Sequence, residues 1–294
     1  MKRCEIAYIS SVILLLFTVM PLRAIVPVRV HWHDEKSDTL RLDSLLHVAC
    51  AMESDGAQGR VARIARLFEG VPYKAGTLEI APEGIVVNLD SMDCTTFVET
   101  VAALAVTADE RRDSWQDFVH NLGVLRYRGG KVDGYASRLH YFSDWILDNS
   151  HRGNVTDVTG RMPDQAAYQV KTIDFMSRHR DLYPALKDDA EYERLKNAEI
   201  GYRNHRFPYI KSGSFFRKGV ASALREGDIV ALVSRKSGLD VSHVGIIVFV
   251  DGEPHLLHAS SRHGKVLVDP LPLAEYLKKS RDTLGLRIIR LKDR

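Results

Sequence analysis

The sequence predicts an α+β fold, with helices in the first part of the chain and strands in the last. Up to about residue 200, apolar side chains recur at helical spacing. From residue 207 onward, short apolar runs alternate with Gly, Asp and Pro turn signals, a pattern typical of antiparallel strands. The chain has 294 residues, of which 45% are hydrophobic, so it can bury a large core. Because no linker or internal repeat divides it, a single domain is expected over residues 25–294.

The first 24 residues have the layout of a secretory signal peptide. Lys2 and Arg3 form a positive start, an apolar run follows over residues 12–20, and Ala24 is a small residue at the expected cleavage point. The apolar run is short for a membrane span, and an N-terminal anchor that is never cleaved is the alternative interpretation. We therefore expect a signal peptide over residues 1–24, export to the periplasm of a Gram-negative bacterium, and no transmembrane segment once the signal is removed.

Helical and extended segments can be placed along the first two hundred residues. Apolar spacing indicates two helices over residues 38–70, and the β-branched stretch "IVVNL" indicates a strand at 85–89. Three further helices are expected over residues 95–108, 114–122 and 135–149. Helical patterning returns later, so residues 110–205 are expected to form a helical elaboration of the domain.

The C-terminal part contains five apolar stretches of strand length, separated by turn signals. They are "GDIVALVS", "SHVGIIVFV", "HLLHAS", "KVLVDP" and "LGLRIIRLK". Together they predict an antiparallel sheet against which the earlier helices pack.

Cys94 lies at the predicted start of the helix over residues 95–108. Asp93 and two other residues of the N-cap type precede it, so the helix should begin within one residue of the thiol. A helix N-terminus lowers the pKa of a thiol, which makes Cys94 a candidate nucleophile. The alternatives are a packed core thiol, since an apolar stripe follows it, or a disulfide with Cys50.

A cysteine nucleophile needs a base, and the base needs a group that orients it. His243 opens the apolar stretch "SHVGIIVFV", which places its imidazole at the end of a core strand. The next strand offers His255 and His258, and an offset of three residues puts them on opposite faces. Only one of the two can therefore face His243.

The order of these motifs resembles a known superfamily. A cysteine at a helix start, followed by "GDIVALV", "HVGIIV" and "HAS", resembles the NlpC/P60 superfamily of papain-like cell-wall cysteine hydrolases. The stretches "MDCTTFVE", "YASRLHYFSDWI", "FMSRH" and "FPYIKSG" resemble its amidase-like branch, formerly domain of unknown function 1460, which is associated with cleavage between N-acetylmuramic acid and L-alanine. The resemblance covers roughly residues 60–294. It departs from the superfamily in "DCTTF", where Thr96 replaces a frequent glycine, and in a longer hairpin after His243.

The resemblance implies a papain-like fold and assigns roles to individual residues. Cys94 would be the nucleophile and His243 the base, with His258 as the third catalytic residue because it belongs to the "HA" motif. The residues implied in substrate binding are Tyr73 of "PY", Asp93, Tyr135, Ser137, Arg138, Tyr141 and Ser242. No cofactor and no metal are expected.

Two of these residues have a purely structural alternative. Asp93 is expected to cap the helix, and it would bind a peptide amine or amide only in addition. Arg138 could hold a stem-peptide carboxylate, or it could pair with Asp144 or another carboxylate of the protein.

The sequence thus predicts an exported cysteine amidase that acts on muropeptides, with small soluble fragments favoured because no wall-binding repeat is recognisable. An endopeptidase cutting within the stem peptide and a thioester-forming acyltransferase would use the same residues. A zinc amidase using His243, His255 or His258 and Asp269 lacks the usual ligand spacing, and a non-catalytic wall-binding module would leave the motifs unexplained. The net charge is only +3 and the basic residues form no stripe along the sequence, so nucleic acid is not expected as a partner.

Overall fold

An antiparallel sheet and the helices that precede it organise the protein, as the sequence predicts. The computed structural model describes residues 28–53, 56–161, 166–215 and 220–293, so the predicted signal peptide lies outside the described residues. The helices are α1 (Glu35–Ala51), α2 (Ala57–Arg66), α3 (Cys94–Asp109), α4 (Trp115–Arg126), α5 (Phe142–His151), α6 (Phe175–Arg178), α7 (Asp189–Ile200) and α8 (Leu273–Lys279). The strands are β1 (Val30–Trp32), β2 (Ile85–Val87), β3 (Val155–Asp157), β4 (Ala166–Lys171), β5 (His205–Lys211), β6 (Ile229–Ser234), β7 (Val241–Val250), β8 (Glu253–Ser260), β9 (Lys265–Pro272) and β10 (Thr283–Leu291).

The large sheet has the order β4-β5-β10-β6-β7-β8-β9, and β3 pairs with β10 at one side of this path. Every pairing in this sheet is antiparallel. Apolar clusters cover the centre of the sheet on both faces, which explains why β6, β7 and β8 appear in the sequence as almost unbroken apolar runs. A separate parallel pair joins β1 to β2.

Helix α3 is the central helix of the larger apolar cluster. It has no glycine or proline, and every residue from 96 to 108 is buried. A helix that is largely apolar around its circumference is stable only when it is enclosed, and α3 is packed between α2, α4 and strand β7. Its first residue is Cys94, so the predicted position of the thiol at a helix N-terminus is confirmed.

A capping box fixes the start of α3. The Asp93 carboxylate accepts a hydrogen bond from the Thr96 N–H at 2.8 Å, and the Thr96 hydroxyl accepts one from the Asp93 N–H at 2.9 Å. Thr96, the departure from the superfamily pattern, therefore supplies half of this cap. Asp93 has the capping role expected from the sequence, and its second predicted role, in substrate binding, stays a prediction.

The predicted helix over residues 135–149 is wrong in its first half. Tyr135–Ser137 forms a short 3-10 turn, and α5 begins only at Phe142. The turn follows Gly134, whose φ of 73° is left-handed, and the Ser137 hydroxyl donates to the Gly134 carbonyl at 2.7 Å. The chain then runs extended beside the end of α4 before it turns into α5.

The segment over residues 110–205 is only partly helical. It contains α4, α5, α6 and α7, but also β3 and β4, which extend the large sheet. Helix α8 directly follows β9 and packs on β8 and β9. The apolar patterns of the sequence do not indicate this helix. Within the described residues, no helix combines the length and hydropathy that crossing a membrane requires.

Candidate active site

The Cys94 thiol lies at the open end of α3, where this helix packs against β7. The thiol is half-buried and unpaired, and so is Cys50, so the alternative of a disulfide between them is not realised in this structure. The backbone N–H of Val244, the residue after His243, lies within hydrogen-bonding reach of the sulfur. Contact with this strand brings the predicted nucleophile to the residue next to the predicted base.

Burial determines the protonation of this thiol. It raises the pKa of Cys94 to about 11, and the neighbouring Asp93 carboxylate acts in the same direction. The N–H of Val244 and the Thr95 hydroxyl favour the thiolate but do not outweigh these effects. The N–H of Cys94 at the helix end also lowers the pKa, as the sequence predicts, but burial outweighs this effect and the net shift is upward.

His243 and His258 form a directly bonded pair. Nε2 of His243 lies 2.5 Å from Nδ1 of His258, and the two rings meet edge to face with centroids 4.8 Å apart. Gly245 leaves room for this arrangement, since a Cβ at that position would lie 3.0 Å from the His258 Cβ and 2.7 Å from the Leu256 side chain. Burial lowers the pKa of His243 to about 3, and the neighbouring His258 adds to this shift.

His255 does not contact His243. Its ring lies 2.9 Å from the backbone carbonyl of Asp269, through Nδ1, and it holds β8 to β9. His255 and His258 therefore lie on opposite faces of β8, as the sequence predicts, and His258 is the one that faces His243.

Asp269 extends the histidine pair by one further group. Its Oδ2 lies 3.4 Å from Nε2 of His258, and its Oδ1 accepts a hydrogen bond from the Leu271 N–H at 3.0 Å. Although burial opposes ionisation, these contacts lower the pKa of Asp269 below its ordinary value. We call Cys94, His243, His258 and Asp269 the thiol–imidazole row. From sequence, Asp269 is a candidate only for the zinc site, and the one signal for its role here is a carboxylate within an apolar strand.

Two tyrosines surround the row. Burial raises the pKa of Tyr73, and the nearby Cys94 acts in the same direction. Tyr73, which the sequence predicts to bind substrate, therefore lies near the thiol. Burial together with Asp269 and Cys94 raises the pKa of Tyr276 to about 12, and its ring packs edge-on against His258 at 5.8 Å. Tyr276 lies on α8, so the sequence analysis missed it. It also lines a cleft of about 330 Å³ beside Asp269.

The predicted residue Arg138 serves a different cluster. It is 4% exposed, and it donates to Glu79 at 2.8 Å and to the Leu78 carbonyl at 2.9 Å. Glu83 lies 3.6 Å from it, and its guanidinium lies over the Tyr135 ring at 4.8 Å. We call Arg138, Glu79, Glu83 and Tyr135 the Arg138 network. Its carboxylate partners are in the loop before β2, while Asp144, considered from sequence, pairs with Arg128 instead.

Three other predicted substrate-binding residues have contacts within the protein. The Tyr141 hydroxyl donates to Glu199 at 2.7 Å and accepts from the Met176 N–H at 2.7 Å. Ser137 is buried in its turn. Ser242 is exposed at an irregularity of β7, immediately before His243, so it is the one of the three that faces solvent near the row.

Tyr135 belongs both to the Arg138 network and to a cavity. It lines a space of about 490 Å³ between the loop before β2 and the start of α7. Its predicted role in binding substrate stays a prediction, since its ring is nearly buried under Arg138. In the described ranges, no group of three His, Cys, Asp or Glu side chains is arranged to hold a metal ion.

The chain is similar in sequence and in overall structure to known proteins. A family model described as "AmiA-like: N-acetylmuramoyl-L-alanine amidase-like" matches residues 63–285. A structure of an N-acetylmuramoyl-L-alanine amidase from Bacteroides uniformis is 37% identical, with a TM-score of 0.74, and the match covers 81% of this chain and 99% of that one. No curated protein matches the chain.

Two further structures are similar. A Bacteroides fragilis protein described as a candidate xylanase is 38% identical, with a TM-score of 0.72, over 77% of this chain and 99% of that one. A Legionella pneumophila protein of the family of domain of unknown function 1460 is 24% identical, with a TM-score of 0.69, over 88% and 96% of the two chains. At that identity the second likeness shows the fold alone.

Proposed function

The chain belongs to the AmiA-like family of N-acetylmuramoyl-L-alanine amidase-like proteins, and we propose that it is a cysteine amidase that cleaves the bond between N-acetylmuramic acid and L-alanine in peptidoglycan fragments. The observation that carries this proposal is the thiol–imidazole row. A thiol at a helix N-terminus lies against the strand that holds His243, and His243 is bonded to His258. Nucleophile, base and orienting group are the three parts that covalent amide hydrolysis needs.

The protonation states favour a neutral thiol and a neutral imidazole in the free enzyme. Burial raises the pKa of Cys94 and lowers that of His243, so it favours the uncharged form of both groups in the free enzyme. His243 then acts as a general base during attack, and takes the thiol proton as sulfur bonds to the amide carbonyl carbon. A thiolate–imidazolium pair formed before substrate binds is not favoured here.

The rest of the reaction follows from the same groups. The carbonyl oxygen gains negative charge in the tetrahedral intermediate, and the Cys94 N–H at the helix end is placed to donate to it. His243 returns its proton to the L-alanine nitrogen as the carbon–nitrogen bond breaks, which leaves a thioester on Cys94. Water, deprotonated by His243, attacks this thioester and releases the muramic acid carboxylate, and the thiol regains its proton.

The position of the cleaved bond is tested by the masses of the products. With a muramoyl tripeptide as substrate, the proposal predicts a muramic acid fragment with a free carboxylate and the intact tripeptide. A muramoyl dipeptide product would identify an endopeptidase instead. Hydroxylamine at high concentration would give a muramoyl hydroxamate in place of the acid if acyl transfer outcompetes hydrolysis. A thiol mechanism uses no metal ion, so we expect cleavage to continue when a chelator is added.

The description of one relative raises a glycosidase as a second activity. Glycoside hydrolysis ordinarily uses two carboxyl groups that face each other across the scissile bond, about 5–9.5 Å apart. The row instead presents a thiol and an imidazole, with its one carboxylate behind His258. Incubation with xylan oligosaccharides should therefore release no reducing sugar, while release at a rate comparable to muropeptide cleavage would contradict the proposal.

We also propose that the protein is exported. Lys2, Arg3 and the apolar run over residues 12–20 support this, and no described helix could serve as a later membrane span. A mature protein recovered from the periplasm should lack residues 1–24. An intact mass that retains Met1, in protein recovered from the cytoplasm, would overturn it.

A further inference from the structure

We propose that Asp269 is a positioning residue that fixes the tautomers of His258 and His243, so that Nδ1 of His243 is left without a proton and can accept one from Cys94. The inference rests on the proposed role of Cys94 as nucleophile. It assigns a task to a fourth residue that touches neither the thiol nor the scissile bond.

The first step is the bond between the two imidazoles. Nε2 of His243 and Nδ1 of His258 lie 2.5 Å apart, a distance at which one nitrogen must donate and the other accept. Either His243 carries its proton on Nε2, which leaves Nδ1 free as a base, or His258 donates from Nδ1 and His243 carries its proton elsewhere. The distance alone does not choose between these arrangements.

The second step is the carboxylate at the far side of His258. Asp269 Oδ2 lies 3.4 Å from Nε2 of His258, and both side chains are at least nine-tenths buried. A carboxylate facing a ring nitrogen favours a proton on that nitrogen. A neutral His258 protonated at Nε2 must accept at Nδ1, so His243 donates from Nε2 and presents an unprotonated Nδ1.

The backbone holds Asp269 in this position. Opposite the single residue Leu256 of β8, strand β9 contributes three residues, 269 to 271, because the register shifts between the pairs His255–Pro272 and Leu257–Val268. Such an irregularity re-aims side chains relative to a regular strand. The Leu271 N–H holds the other carboxylate oxygen, and the Asp269 carbonyl accepts from His255. The first contact holds the carboxylate and the second holds the backbone of Asp269, and neither occupies the oxygen that faces His258.

The remaining titratable neighbours come from three elements. Tyr276 on α8 packs edge-on against His258, and His263 lies in the turn between β8 and β9 near Asp269. Cys94 lies on α3, and the acidic residue that acts most strongly on its pKa is Asp93. Near neutral pH, Asp269 is therefore the anionic group that faces the far side of the histidine pair.

Nitrogen NMR of the histidines in the wild-type protein tests the inference directly. We expect His258 to carry its proton on Nε2 and His243 to carry its proton on Nε2 at pH 7. A His258 proton on Nδ1, with or without a second one on Nε2, would overturn the proposal. Because this readout needs no turnover, it decides the inference even if the protein proves to have another activity.

Kinetics of the Asp269→Asn and Asp269→Glu variants supply the second test. An amide nitrogen facing Nε2 of His258 favours the opposite tautomer, so kcat of Asp269→Asn should fall by about 10–100-fold while KM changes little. Asp269→Glu keeps the carboxylate and should recover part of the loss. The exposed Asp282→Asn is the matched control and should retain wild-type kcat.

The outcomes separate this inference from the proposed function. If wild type cleaves muropeptides, Cys94→Ala does not, and Asp269→Asn has wild-type kcat, the positioning role is wrong and the amidase proposal stands. If wild type cleaves no muropeptide, the amidase proposal fails, and the NMR assignment still decides the tautomer.

Discussion

The thiol–imidazole row and the Arg138 network both consist of polar side chains inside the protein, but they differ in how their charged groups are paired. In the network, Arg138 lies between Glu79 and Glu83, so positive and negative groups meet inside the protein. In the row, Asp269 faces His258, His258 is bonded to His243, and the strand of His243 leads to a half-buried thiol. In the network the charges neutralise one another, whereas the row ends at the proposed nucleophile. We therefore expect the network to hold a loop in place and the row to take part in the reaction.

This comparison changes how the predicted site is interpreted. Sequence motifs placed Arg138 and Tyr141 in the substrate site as readily as His243. The structure gives both of them protein partners, and it adds Asp269 and Tyr276 to the surroundings of His258 instead. The expected consequence is that substitutions in the row change turnover, whereas substitutions in the network change stability.

The largest effect is expected from His243→Gln. Removing the base should lower kcat by about 10⁴–10⁶-fold, as for the loss of a catalytic histidine in other triads, while the variant stays folded. His47→Gln is the matched control, since His47 is exposed on α1 and takes no part in the row. Rates of muropeptide cleavage and circular dichroism of the three proteins measure this. A His243→Gln variant with more than a tenth of wild-type kcat would remove His243 from the mechanism.

The next effect should appear in the Arg138 network, as lost stability. Arg138→Met leaves Glu83, which is nearly buried, without its positive partner, and we expect a loss of about 3–5 kcal/mol in the free energy of unfolding. The double variant Arg138→Met/Glu83→Gln removes the stranded charge and should regain part of it. Urea unfolding measures both.

The same variant also tests whether Arg138 binds substrate or has only a structural role. If Arg138→Met unfolds at the wild-type urea concentration but raises KM for muropeptides strongly, Arg138 binds substrate as the sequence motif implied. An unchanged KM in the folded fraction at low temperature supports the structural role.

A smaller effect concerns the charge state of the thiol. Because burial raises the pKa of Cys94 to about 11, only a small fraction of the thiol is ionised at neutral pH. Alkylation by iodoacetamide in a Cys50→Ala background should therefore accelerate about tenfold for each pH unit between pH 6 and 9, since the thiolate is the reacting form. A rate that stays constant from pH 5 to 8 would instead indicate a thiolate stabilised by a charged His243.

The smallest effect is expected at the cap of α3. Thr96→Ala removes the hydroxyl that accepts from the Asp93 N–H, and it should cost about 0.5–1 kcal/mol in the free energy of unfolding. Thr96→Ser retains the hydroxyl and is the control. Equal stability of the two variants, measured by urea unfolding, would show that the box does not fix the start of the helix.

Much of the fold could be predicted from local patterns. The cap residues before Cys94 predicted the start of α3 to within one residue, and the five apolar stretches after residue 207 correspond to β6 through β10. These features depend on neighbours in sequence, because periodicity and capping act over a few residues. The motif-based preference for His258 over His255 likewise agrees with the face on which each side chain lies.

The features that the sequence predicted wrongly or missed depend on residues that are far apart in the chain. Residues 135–141 have helical spacing, but their hydrogen bonds go to Gly134 and to the end of α4. The partner of Arg138 is 59 residues away in the chain. Asp269 reaches His258 through a register shift that no apolar pattern encodes. The raised pKa of the Cys94 thiol comes chiefly from burial, which the residues next to it in sequence do not reveal.

The central claim is that the thiol of Cys94 performs the cleavage, and the most direct measurement compares Cys94→Ala with Cys50→Ala. Both variants lose one half-buried thiol, but only Cys94 lies at the end of the row. With a muramoyl tripeptide, Cys50→Ala should cleave at the wild-type rate, and Cys94→Ala should release no tripeptide above the uncatalysed background. Tripeptide release by folded Cys94→Ala at a rate near that of Cys50→Ala would contradict the account.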